Sequence, residues 1–90
     1  MQYLIKDAII TSREITDTTG QLKQLYYYVK QFDSSYGIKI TCKSDNSPTY
    51  SESTFGITHS YEQAVEWVTL MAANEVTPIT LHDIVDDLMF

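Results

Sequence analysis

The chain is short of the residues that usually announce a function. It has one cysteine, two prolines and three glycines in 90 residues. The lone thiol, Cys42, excludes an intramolecular disulfide and any zinc site built on cysteines. So little proline and glycine excludes a collagen-like chain or a flexible linker. Long apolar runs are missing too. The strongest, Leu25–Val29 (LYYYV), falls far short of the ~20 residues that span a bilayer. Lys6 and Asp7 interrupt the N-terminal stretch, so no secretory signal is expected, and an unpaired cysteine then fits the reducing cytoplasm. Neither a glycine-rich phosphate loop nor a nucleophile elbow is present. The expectation is therefore a non-enzymatic protein with no cofactor and no metal.

Basic residues are absent from half of the chain. All six lie at or before Lys43: Lys6, Arg13, Lys23, Lys30, Lys39 and Lys43. With four acids among them, residues 1–43 carry +2. Residues 44–90 hold eight acids and no Lys or Arg, a charge of −8 within a net −6. A surface of that sign repels nucleic acid and anionic membrane and attracts basic surfaces.

What is there reads as strands followed by helices. Residues 3–10 and 22–32 are rich in β-branched and aromatic types, and Asp17–Gly20 between them is a turn signal. Asp33–Gly37 is a second turn. Ile38, Ile40 and Cys42 then alternate with Lys39, Thr41 and Lys43, which predicts a strand with one buried and one wet face. A loop at 44–49 leads to a weaker strand at 50–58, with Phe55 and Ile57 on one side. Near residue 59 the period changes. Ser60 and Gln63 form a capping box, and Tyr61, Ala64, Val65, Val68, Met71 and Ala72 make a helical stripe with Trp67 at its edge. After Pro78, Thr80 and Asp83 repeat the capping pattern. Leu81, Ile84, Val85, Leu88 and Met89 give the stripe of a second helix. The predicted fold is α+β, a four-stranded antiparallel meander covered on one face by two C-terminal helices. Residues 1–90 read as one domain, strand-rich over 1–58 and helical over 59–90.

The closing segment TPITLHDIVDDLMF, behind a Ser-capped amphipathic helix, resembles a family of small uncharacterised proteins of Gram-positive bacteria and their mobile elements. The resemblance covers residues 60–90. It implies the helical half of the fold and transfers no functional residue.

Two surfaces stand out as candidates. On the first helix Glu62, Glu66, Thr69, Leu70 and Ala73 share a face turned away from the core stripe, with acids around an apolar centre as in a contact patch. On the second helix Asp86 and Asp87 sit in the last turn, where the helix dipole disfavours acids by about 0.3–1 kcal/mol each. Asp83 is explained by capping, whereas Asp86 and Asp87 break a local rule without structural gain, a pattern more often met at functional sites. Glu62, Glu66, Leu70, Asp83, Asp86 and Asp87 are thus the predicted partner-binding set. The other surface is the sheet face of Lys39 and Lys43, to which Tyr26 and Tyr28 must also point if Tyr27 faces the core. Cross-strand packing explains these residues, and self-association is the functional reading. His82 and Asp86 have the spacing of two metal ligands but lack a third. Cys42 is expected to be a buried, inert thiol.

The leading reading is a small acidic interaction protein that occupies a basic surface of a larger partner. The analogy is to phage and mobile-element inhibitors of bacterial defence nucleases, anti-CRISPR-like proteins whose acids stand in for phosphates. The alternative is a homodimeric regulatory or structural accessory protein that associates through its sheet. Direct binding of nucleic acid or membrane is not expected.

Overall fold

The computed structural model describes residues 4–45 and 47–89. Strands β1 (Leu4–Thr16), β2 (Leu22–Phe32), β3 (Tyr36–Ser44) and β4 (Ser47–Ser53) form one antiparallel sheet in sequence order. Helix α1 (Tyr61–Ala73), a 3-10 turn (Pro78–Thr80) and α2 (Leu81–Met89) follow. The predicted α+β meander with two C-terminal helices is what the chain forms. The expected strand start at Tyr3, the helix end at Phe90 and the side chain of Met89 lie outside the described residues.

Alternation builds the core. Leu25, Tyr27 and Val29 of β2 pair with Cys42, Ile40 and Ile38 of β3, which puts all six on the face under the helices. They meet Ala64, Val68, Met71 and Ala72 of α1, and Leu81 and Val85 of α2. Cys42 is half-buried rather than enclosed, because it lies near the end of its strand. Gly37 sits where the chain after β4 crosses β3. A Cβ there would stand 2.5 Å from the Phe55 carbonyl oxygen and 2.9 Å from Thr54 Oγ1.

Boundaries depart from expectation in two strands. β1 runs six residues beyond Ile10, because Thr11–Thr16 continue the ladder down to Leu22. The register shifts between Ile9 and Thr11, and a bulge there breaks the period of two that marks a strand in sequence. β4 begins earlier and ends earlier than residues 50–58. After Ser53 the Thr54 hydroxyl accepts the Ile38 N–H at 3.0 Å and its own N–H donates to Ile38 O at 2.8 Å. The chain then bows out of the sheet at Phe55, which is 82% exposed instead of lying on a strand, and returns to the start of β3 in a single bridge between Thr58 and Tyr36.

Both helix starts also differ in detail. Ser60 Oγ accepts the Gln63 N–H at 3.1 Å, but the Ser60 N–H donates to Thr58 Oγ1, so the return half of the capping box is made by Thr58. Thr80 does not cap α2. Its hydroxyl donates to the Thr77 carbonyl, because the 3-10 turn beginning at Pro78 runs straight into the helix. At the end of α1, Glu75 adopts φ 53°. Its N–H bonds Ala72 O and that of Val76 bonds Met71 O, a Schellman stop built on Glu where Gly is usual.

Candidate functional site

The two helices expose acids and carry no Lys or Arg. On α1, Glu62, Glu66, Thr69, Leu70 and Ala73 are all exposed, Leu70 at 54%. On α2, His82, Asp83, Asp86 and Asp87 are exposed. At 100° per residue the acids of α2 divide. Asp83 and Asp87 flank Ile84 and Leu88, whereas Asp86 shares the opposite flank with His82. The His82 imidazole lies 3.3 Å from Glu52 Oε2 on β4, and the Tyr50 hydroxyl donates to Glu52 Oε1 at 2.6 Å. Those bonds, that of Tyr50 first, hold the Glu52 carboxyl below its usual range. His82 thus pairs with Glu52, and among the described residues no three His, Cys, Asp or Glu side chains group to hold a metal ion.

Between the helices runs an apolar groove of about 210 Å³, lined by Trp67, Leu70, Met71, Val76, Ile84 and Leu88. A shallower depression of about 390 Å³ adjoins it, lined by Glu66, Thr69, Leu70 and Ala73. Leu70 is the shared wall. Of the predicted site residues, Leu70 lines both hollows and Glu66 the shallower one, while helical spacing puts Asp83 and Asp87 on the flank of α2 that carries Ile84 and Leu88. Glu62 lies one turn from Glu66, and Asp86 is on the flank of His82, away from Ile84 and Leu88. Sequence reasoning did not assign Trp67, Ile84, Val76 and Leu88 to this site. Trp67 at the edge of its stripe was the available signal.

The opposite face of the sheet is free of helices. Cross-strand rows run over it: Glu14, Gln24, Lys43; Ser12, Tyr26, Thr41, Ser51; Ile9, Tyr28, Lys39, Ser53. Tyr26, Tyr28, Lys39 and Lys43 are thus brought together as expected. The Lys39 ammonium lies 4.9 Å from the Tyr28 ring centre and 3.2 Å from Asp7 Oδ2, and that of Lys43 lies 5.2 Å from the Tyr26 ring. Thr41, expected wet, is buried between its neighbours and shares a 2.8 Å hydrogen bond with Ser51.

Fold and surfaces together define a small α+β protein with an acid-rimmed groove on one side and an aromatic and lysine-bearing sheet on the other. The chain belongs to a family of unknown function, DUF6514, which matches residues 6–90 and so covers the sheet as well as the helices. Comparison with the curated proteins finds no match. Comparison with the solved structures finds none either. No helix among the described residues is long and apolar enough to cross a membrane.

Proposed function

We propose that this is a non-enzymatic, cytoplasmic interaction protein that docks the groove between α1 and α2 onto a basic, amphipathic surface of a larger protein. One observation carries the reading: exposed Leu70 is the wall shared by an apolar groove and a hollow that Glu66 also lines, on two helices with no Lys or Arg. Helical spacing puts Asp83 and Asp87 on the flank of that groove formed by Ile84 and Leu88. An apolar centre within a charged rim is the anatomy of a contact patch. The finer form of the proposal is a nuclease of a bacterial defence system as partner, with the acids standing in for phosphates in a nucleic-acid channel, as inhibitors from mobile elements do.

The test is affinity capture from cells that carry the protein, washed at low and at high salt, followed by binding of the purified partner to wild type and to Leu70→Ala. Electrostatic association is expected to weaken with salt. Leu70→Ala, at an exposed site, is expected to leave the fold intact and to weaken binding by about 1–2 kcal/mol. A partner held equally at all salt concentrations and unaffected by Leu70→Ala would overturn the reading.

A further inference from the structure

We propose that the helix-free face of the sheet is a self-association surface and that its occupant is a second copy of this chain. The face is self-complementary. Its acids are Asp7 and Glu14 on β1 and Asp45 just past the end of β3, which shares a hollow with Glu14 and Lys43, and its bases, Lys30, Lys39 and Lys43, lie on β2 and β3. A two-fold axis along β2 lays β1 of one copy over β3 of the other. Rotation about the strand direction keeps each cross-strand row in place. Glu14 and Lys43 share a row through Gln24, so Glu14 of each copy faces Lys43 of the other, the reciprocal contact of an isologous dimer. Face-packed sheets stand about 10 Å apart, a gap that a Glu and a Lys side chain span together. Asp7 is already joined to Lys39 across Tyr28. Glu14 has no ion pair among the described residues and is open to the second copy. Ile9, 55% exposed, lies in the row of Lys39 and would be covered by the stem of that side chain from the other copy.

Single-stranded nucleic acid, the other occupant of aromatic sheet faces, fits less well. Both signs of charge are present, and lysines lie over the rings of Tyr26 and Tyr28 on which bases would stack. This axis overlaps β1, β2 and β3 of the two copies and leaves β4 outside. With strands about 4.8 Å apart and a rise of about 3.3 Å per residue, the three overlapping strands cover about 450 Å². That is below the roughly 800 Å² per partner of a standard interface, so the dimer should be reversible and should form with rising concentration.

Charge reversal tests this on the full chain by sedimentation equilibrium. Wild type should pass from monomer to dimer as concentration rises. Glu14→Lys and Lys43→Glu should each weaken the dimer about tenfold or more, since each turns two attractive contacts into repulsive ones. An equimolar mixture of the two variants should associate as well as wild type, because the mixed dimer restores opposite charges at both contacts. Circular dichroism of each variant checks the fold, and Ile9→Ser is a further weakening variant should either misfold. A wild type that stays monomeric into the millimolar range overturns the proposal, as does a mixture that stays dissociated. Binding of a fluorescent single-stranded oligonucleotide, lost in Lys43→Glu, would reassign the face to nucleic acid.

Discussion

Tyr27 shows how a single polar atom ties the sheet to the helices. Its ring is fully buried in the middle of β2, and its hydroxyl donates at 2.8 Å to the carbonyl of Val76, in the link between α1 and the 3-10 turn. Tyr26 and Tyr28 on either side point the other way, so three consecutive tyrosines serve two surfaces. Tyr27→Phe keeps the packing and removes the donor from the Val76 carbonyl. The expected loss is about 1–2 kcal/mol, measured by urea unfolding at neutral pH. Burial, helped by the Glu75 carboxylate, pushes the Tyr27 hydroxyl up to about 12 from 10.0. A raised folded value means that the contribution is complete below pH 10 and fades as pH rises toward 12. Tyr50, raised by its bond to Glu52, acts in the same direction. Tyr27→Phe should therefore reduce the alkaline loss of stability without abolishing it. An unchanged alkaline limb would show that the hydroxyl is not buried in solution.

Among the elements, the β1–β2 hairpin has the most explicit device. Asp17 Oδ1 accepts from the N–H and the hydroxyl of Thr19 and from the N–H of Gln21, while Gly20, at φ 84°, donates its N–H to the Asp17 carbonyl. The Thr19 hydroxyl above all, then the Gln21 amide, lower the Asp17 carboxyl from 3.8 to about 2. A depressed folded value means that the stabilisation is complete above pH 4 and is lost as pH falls toward 2. Melting temperatures of wild type and Asp17→Asn should differ at pH 7 and converge as pH falls toward 2, with wild type the higher at neutral pH. Parallel curves over that range would remove Asp17 from the acid response. This turn was legible in the sequence because Asp and Gly act locally, and so were the Ser60 cap and the strict alternation from Ile38 to Lys43. The second half of β1 was not legible. The bulge near Ile10 changes which face each later residue meets, and only pairing with β2 reveals it. β4 was misplaced for a related reason: Ser47–Ser53 has little apolar content, and its backbone bonds to β3 hold it in the sheet.

At the scale of the whole molecule, the charges sort by surface more finely than by half of the chain. Lys6, Arg13 and Lys23 are on the helix side of β1 and β2, with Lys23 against the segment 77–79, while Lys30, Lys39 and Lys43 share the open face with Asp7 and Glu14. The acids of α1 and α2 have no basic neighbour on their own helices. Helical spacing made Glu66, Leu70, Asp83 and Asp87 legible as outward residues. The groove they edge was hidden, because it exists only where Trp67 and Leu70 of one helix meet Ile84 and Leu88 of the other. The acids there should cost the isolated protein something. Asp86 and Asp87 occupy the last turn of α2, which has no base to offset the dipole. Replacing both by Asn should leave the unfolding free energy unchanged or raise it by about 0.5–1 kcal/mol. The same double variant should bind the captured partner more weakly, and association kinetics over a range of salt separate the causes. A slower on-rate with a flatter salt dependence places both acids on the rim, while a faster off-rate places Asp87, the one beside the groove, in a desolvated contact. Should the single variant Asp86→Asn account for the whole effect, the contact surface extends over His82 and Glu52 toward β4 rather than along the groove. Unchanged rates at low salt would make α2 a solubilising surface and move the search for the interface to α1 and Leu70.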